Sequence, residues 1–232
     1  MTPQDLHARV LYRDAHILIL DKPAGLAAHA GPRGGRSVED FLDQLAFGFR
    51  RLPALAHRLD RDTSGCLVLG RHPKALSRLG RLFAAGLVEK TYWAIVEGVP
   101  PAPEGRIDLP IRKLTRKGGW RMATDPAGQP AITEYRVLGT AGDTAWLELR
   151  PRTGRTHQLR VHSAALGFPI RDDPTYGRAA QAGGLIHLLA RRIVIPYAAS
   201  RPPIVAVAPP PAHMLASLRA CGFAPAPDEG RR

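Results

Sequence analysis

Residues 57–65, His57-Arg58-Leu59-Asp60-Arg61-Asp62-Thr63-Ser64-Gly65, place two carboxylates, two guanidiniums, an imidazole and two hydroxyls in one short stretch. Apolar runs flank it, residues 52–56 before and residues 66–69 after. Polar groups held between buried segments are expensive unless they pair with one another or with a ligand. Gly65 permits a sharp turn or a close backbone approach. A loop that enters a strand with a carboxylate beside arginines suits a nucleophile or a general base. The blander reading is an ion-pair loop, in which Asp60 and Asp62 simply neutralise Arg58 and Arg61.

The formal charge is +13, with a pI near 10.8. Such an excess implies a polyanionic partner, most often nucleic acid. Compositional drift is the alternative, because the chain is rich in Ala, Arg, Pro and Gly and its basic residues are scattered as well as clustered. The 232 residues and a hydrophobic content of 44% allow a sizeable core. The two cysteines, Cys66 and Cys221, form neither a disulfide framework nor a metal-binding pair. The opening MTPQDLHARV has no apolar leader core, and no run reaches the ~20 apolar residues of a membrane helix. A soluble, cytoplasmic chain is the expectation.

Residues 1–10 read as loose. Residues 15–20 read as a strand closed by the turn Asp21-Lys22-Pro23-Ala24-Gly25. The Gly/Arg-rich loop 31–35 fits neither a P-loop nor a dinucleotide fingerprint. Ser37 caps a predicted helix over residues 38–47. Residues 66–69 are strand-like, and Pro73 opens a helix with Leu76, Leu79, Leu82 and Phe83 inward and Gly86 as its cap. Its basic residues, Lys74, Arg78 and Arg81, read as a solvated face or an RNA contact.

Residues 89–98 are strongly β-prone, with Tyr92, Ala94 and Val96 on one face. Pro100, Pro101 and Pro103 suggest a rigid loop. Residues 111–122 carry Arg112, Lys113, Arg116, Lys117 and Arg121 with Trp120. Basic groups interleaved with an aromatic suit an RNA-tracking surface, and a two-stranded ribbon with solvated charges is the alternative. Residues 132–138 and 144–150 look like strands joined through residues 139–143. Gly154 breaks the chain and Thr156 can cap a helix running to about Gly167. His157 and His162 on that helix would diverge by roughly 140°, which argues against a metal pair. Residues 185–195 form another buried strand region, 202–211 a Pro-rich connector, and 213–220 a short helix. The fold class is α+β around a mixed, largely antiparallel sheet. One domain over residues 1–222 is expected, followed by a disordered tail over residues 223–232.

The string HRLDRDTSG resembles the central motif of the RluA family of RNA pseudouridine synthases. The similarity extends along the chain in matching order: ILILDKPAGL, LAHRLDRDTSGCLVLGR, EKTYWAIVEG, RTGRTHQLRVH and ALGFPIRDDPTYG. It implies the pseudouridine synthase fold, a mixed sheet flanked by helices and loops around a central catalytic cleft. It implies conversion of uridine in tRNA or rRNA to pseudouridine, with no cofactor and no metal. Carried over by position, Asp60 becomes the catalytic aspartate, Tyr92 the tyrosine that stacks on the target uracil, and Arg160 the cation paired with the aspartate. Arg58 matches the arginine that fills the gap left by an extruded base. Arg61, Thr63, Arg155 and His157 fall among the expected substrate contacts, and Arg112, Lys113, Arg116 and Lys117 form the expected phosphate-contacting segment. RNA is the expected partner, no membrane is involved, and the chain is expected to act as a monomer.

Two positions depart from the pattern. Asp172 stands where the family usually has glycine, and Leu189 where it usually has histidine. The 232 residues leave no room for an S4-type RNA-binding domain, so recognition is expected to come from the catalytic domain. The rival readings are a non-catalytic RNA-binding or ribosome-assembly protein, and a hydrolase using Ser64. The first would not require Asp60, Tyr92 and Arg160 together. The second lacks the G-x-S-x-G elbow.

Overall fold

Apolar β-prone runs interrupted by Gly and Pro build most of this chain, and the computed structural model describes residues 6–31, 34–116, 119–178 and 184–224. The chain forms two compact units. The first comprises Met1–Lys90 and Ala190–Pro209, the second Thr91–Leu189 and Pro210–Arg232.

The first unit holds β1 (Val10–Arg13), β2 (Ile17–Lys22), β3 (Ala54–Leu55), β4 (Ser64–Gly70), α1 (Pro73–Ala84), most of β11 (Leu188–Ile195) and β12 (Ile204–Val207). The strand order is β1-β2-β4-β11, with β3 on β4 and β12 on β11. The ladders β1–β2, β2–β4, β3–β4 and β11–β12 are antiparallel. Every residue of β2 and β4 is buried, as expected of near-continuous apolar runs. The register sets Lys22 opposite Gly65, so the end of β2 and the start of β4 bring two loops together.

Helix α1 starts where Pro73 predicts. The His72 ring Nδ1 caps it, accepting from the Ala75 N–H at 3.2 Å. Ala75 and Leu79 are buried against the sheet. At the far end Gly86 N–H donates to Phe83 O and Leu87 N–H to Leu82 O, which satisfies two orphan carbonyls.

Three elements differ from the sequence reading. The predicted helix over residues 38–47 is two 3-10 turns, Val38–Phe41 and Gln44–Ala46, and the left-handed Phe47 (φ 47) ends the second. β1 takes in Val10, the last residue of the stretch read as loose, and residues 11–13, for which no element was expected. β12 lies inside the Pro-rich connector, where Ile204–Val207 is free of proline and proline's missing donor is tolerated beside an edge strand.

The second unit holds most of β5 (Glu89–Glu97), β6 (Glu104–Asp108), β7 (Ile111–Arg116), β8 (Gly119–Thr124), β9 (Ile132–Ala141), β10 (Thr144–Pro151), α2 (Gln158–Ala165) and α3 (Ala212–Ala220). The order β5-β10-β9-β6 is antiparallel throughout. β7 and β8 form a separate two-stranded ribbon. Ala94 and Val96 of β5 join Leu147, Leu149, Leu159 and Phe168 in the core, with Tyr92 packed against it. That bears out the shared face of Tyr92, Ala94 and Val96. Pro100, Pro101 and Pro103 lie in a loop, as expected, and β6 begins directly after it at Glu104. The predicted break at Gly139 is instead continuous strand with a bulge, and the turn is the pair Gly142-Asp143. Gly139 is needed for close approach. A Cβ there would lie 1.8 Å from the Cys221 carbonyl oxygen. Just beyond α3, Phe223 meets Trp93 and Trp146 edge-on.

The strands and short helices in mixed order make the fold α+β, as the sequence implies. Among the described residues no helix is long and apolar enough to cross a membrane.

Two glycines should respond oppositely to alanine. Gly80 is exposed inside α1 and an added Cβ meets nothing within 4 Å, so Gly80→Ala should stabilise by about 0.5–1 kcal/mol. Gly139→Ala should destabilise by more than that. Urea melts of the two variants check both signs.

Candidate active site

The loop carrying Asp60 is built on the end of β2. Lys22 is the last residue of that strand and its side chain is fully buried. Its ammonium donates to the carbonyls of Pro23 (2.9 Å), Leu26 (2.8 Å) and Arg61 (2.9 Å), so all three N–H groups are used. One buried cation thus ties the turn after β2 to the loop before β4. A second tie lies beside it. Gly25 N–H donates to Arg61 O at 3.0 Å, and Arg61 Nε donates back to Gly25 O at 3.0 Å. Within the loop, Thr63 N–H donates to Asp60 O, closing a turn. Gly65 takes φ 103, which lets the chain leave that turn directly into β4.

Burial pushes the Lys22 ammonium down to about 7, and the carboxylates of Asp62, Asp60 and Asp21 partly oppose the shift. Desolvation disfavours the charged form, while nearby negative charge favours it. His57 has the reverse situation. Burial first, and the Lys90 charge second, lower it to about 3. Its Nε2 accepts from the Val68 N–H at 3.0 Å and its ring stacks on Phe83 at 4.7 Å. His57 is therefore a neutral structural ring, with its proton on Nδ1. Asp60 and Asp62 are half-buried, Arg58 and Arg61 are exposed, and Thr63 is buried. Ser64 is buried within β4 rather than raised on a turn, which removes the geometry a serine hydrolase needs.

Arg160 lies in α2 of the second unit, with its side chain only 5% exposed. Its Nε and Nη2 each donate to Asp173, both at 2.7 Å, in a bidentate pair. Asp173 Oδ1 also accepts from the Thr175 and Tyr176 N–H groups. Tyr176 lies beneath the guanidinium, its ring centroid 5.1 Å from Cζ. A planar fork matched to a carboxylate fixes an arginine in one orientation. The sequence reading gave Arg160 one partner, Asp60. Asp173 was legible only as part of the DDPTYG string.

His157 does not sit within the helix. It precedes α2 in a left-handed conformation (φ 53), with Nδ1 2.9 Å from the Tyr176 hydroxyl and its ring stacked on Trp120. His162 is a core histidine. Nε2 donates to Leu109 O and Nδ1 accepts from the Thr133 hydroxyl, both at 2.9 Å, and burial lowers its pKa. The residue that organises this segment is Gln158. Its Oε1 accepts from Thr153 Oγ1 and the Arg155 N–H, and its Nε2 donates to Ile132 O and Thr133 Oγ1. Sequence reasoning passed over it, since a glutamine carries no charge signal. Arg155 is exposed, with Nε on Pro130 O at 3.1 Å.

On the β7–β8 ribbon, Arg112 pairs with Asp125 at 2.6 Å and Lys113 lies over Trp120, 4.9 Å from its centroid. Lys117 and the Arg116 side chain lie outside the described residues. Asp172 adopts φ 57, the left-handed geometry that glycine would supply, and its Oδ2 lies 3.4 Å from His187 Nδ1. Asp is among the residues that tolerate this conformation, so the departure keeps the turn.

Three comparisons bear on these features. The family model described as RNA pseudouridylate synthase matches residues 16–165. An uncharacterised RNA pseudouridine synthase of Zymomonas mobilis is 51% identical over 174 residues, covering 74% of this chain and 80% of the relative. The ribosomal large subunit pseudouridine synthase D of the same organism is 33% identical over 78% of this chain and 59% of its own length. Among solved structures, human RNA pseudouridylate synthase domain containing 4 superposes with a TM-score of 0.81 at 28% identity, covering 97% of both chains. The chain belongs to the RNA pseudouridylate synthase family. It is an isomerase that converts uridine in RNA to pseudouridine.

Lys22 yields a prediction with a definite sign. Its folded pKa lies below the ordinary lysine value of 10.5, so between about pH 7 and pH 10.5 the unfolded chain binds a proton that the folded chain has released. Stability from this group therefore rises with pH across that window and is lowest below it. Lys22→Met should lower stability at every pH by stranding three carbonyls, and the gap to wild type should widen between pH 7 and 10. Urea melts of both proteins across that range measure it.

Asp173→Ala leaves a buried guanidinium without its carboxylate. It should cost about 3–5 kcal/mol, the range for breaking a buried pair from one side. Asp173→Glu should recover little, because the fork geometry is lost. Thermal melts compare the two.

Proposed function

We propose that Asp60 is the catalytic aspartate of this synthase, that Tyr92 stacks on the target uracil, and that Arg160 is the cation supporting the aspartate. The observation that carries this reading is the mounting of the Asp60 loop. A buried ammonium and a reciprocal Gly25–Arg61 pair, one backbone bond and one from the Arg61 side chain, hold it, and its only histidine is neutral and engaged in structure. Within that loop the carboxylates are the groups left for proton or nucleophile chemistry. Asp60 rather than Asp62 occupies the family's motif position.

The reaction conserves composition. The C1′–N1 bond breaks, the uracil turns, C5 bonds to C1′, the C5 proton leaves, and N1 takes one up. No electrons are exchanged with an outside donor. A carboxylate can serve by attacking C1′, by adding to C6, or by assisting loss of the C2′ proton. A base within a stem must first be extruded, at a cost that stacking on Tyr92 would offset. Arg58, which is exposed, would fill the vacated space. Arg61, Thr63, Arg155 and His157 would then shape the pocket through their neighbours rather than as free charges, since Arg61 and Arg155 each already donate to a carbonyl.

The substrates we propose are tRNA, rRNA or both. Support for rRNA comes from the similarity to a large-subunit enzyme, and support for either from the excess of +13 charges.

Asp60→Asn should abolish conversion, by about a thousandfold or more, while RNA binding is retained, and Asp62→Asn should keep most activity. Pseudouridine mapping in RNA from cells with and without the gene, followed by assays of both variants on the mapped RNA, measures this. Conversion by Asp60→Asn would overturn the assignment.

A further inference from the structure

We propose that the exposed face of α1, the helix whose opposite face anchors the loop that carries Asp60, is a track for the RNA backbone. This rests on the reading of RNA as substrate and adds a surface to it. Lys74, Arg78 and Arg81 are all exposed. They fall at i, i+4 and i+7, within a stripe about 60° wide that rises roughly 10 Å along the helix. Ser77, Ala84 and Ala85 flank the stripe and are small, so the charged heads stand clear.

The charges are poorly placed for helix stability. The sequence of α1, PKALSRLGRLFA, contains no carboxylate. Lys74 sits in the first turn, where the helix dipole disfavours a cation. Lys74 and Arg78, and Arg78 and Arg81, are like charges at the spacings that bring side chains together. Among the described residues none of the three makes an ion pair. Arg81 Nη1 donates to Ser77 Oγ at 3.0 Å, and Arg78 rests over the Tyr197 ring, 5.0 Å from its centroid. Four exposed arginines on or beside the β10-β9-β6 strands of the second unit differ. Arg106, Arg136, Arg150 and Arg152 each have an Asp or Glu partner. The protein neutralises those and leaves the α1 stripe uncompensated.

Phe83, on the face of α1 opposite the stripe, stacks on His57 at 4.7 Å with planes 26° apart, so the helix that carries the stripe also anchors the loop. His57 leads directly into Arg58, which is exposed and has no ion pair among the described residues, and then to Asp60. Lys74, Arg78 and Arg81 on α1 and Arg58 on the loop are four exposed cations of the first unit. A polyanionic strand is the ligand that four uncompensated charges on a rigid helix and its adjoining loop would suit.

The test compares two triple variants that each remove three positive charges. One is Lys74→Gln/Arg78→Gln/Arg81→Gln. The control is Arg106→Gln/Arg136→Gln/Arg150→Gln. Binding of a bulk tRNA preparation and of a large-subunit rRNA preparation is measured from about 50 to about 200 mM NaCl. The stripe variant should weaken binding at least about tenfold near 0.15 M salt and flatten the log–log salt slope by about 2–3, while the control stays near wild type. Lys74→Arg/Arg78→Lys/Arg81→Lys, which keeps the charges, should restore the slope. Equal slopes for the stripe and control triples would overturn the track. Loss of binding to phosphatidylserine vesicles with RNA binding intact would also overturn it, in favour of a lipid surface. If wild type converts no uridine while the stripe variant still loses RNA binding, the synthase reading fails and the track stands.

Discussion

A single buried ammonium governs how the first unit presents its loops. Lys22 is fully buried, yet donates all three N–H groups to backbone carbonyls from two separate loops. Burial of an uncompensated charge is costly, so the fold keeps it only because three carbonyls and three nearby carboxylates offset the desolvation. The arrangement works in both directions. The carbonyls hold the cation, and the cation holds Arg61 and the turn around it. The position of Asp60 is therefore inherited from the end of β2, a strand far from it in sequence.

Arg160 shows the complementary solution in the second unit. There the buried charge is matched by another charge, Asp173, whose remaining acceptor capacity is filled by two backbone N–H groups. A bidentate pair fixes direction as well as charge. Tyr176 extends this anchoring outward. Its hydroxyl contacts His157, accepts from the Met122 N–H and so joins the ribbon to the start of α2. The residues that hold Asp60 and Arg160 in place outnumber them and lie in different elements.

The basic character of the chain divides along the same physical lines. Arginines on the exposed face of the β9–β10 sheet are paired with carboxylates and contribute little field beyond a Debye length. Those on α1 are not paired among the described residues. Net charge alone cannot distinguish the two sets, since both count equally in the +13.

Much of this was legible in sequence because it depends on local chemistry. Apolar runs located β2, β4, β5 and most of β11; Pro73 and Gly86 bracketed α1; period-2 alternation put Tyr92, Ala94 and Val96 on one face. The nonapeptide 57–65 was evident from the density of its polar groups. Tertiary structure decided what local chemistry leaves open. It turned Gly139 from a turn signal into a close approach to Cys221, and made a strand of Ile204–Val207 between prolines. It gave Lys22, His57, Gln158 and Asp173 their roles, because a residue's partners across the chain set its desolvation and hydrogen bonding. A sequence names the polar groups a fold must satisfy; only packing determines which of them end up satisfying one another.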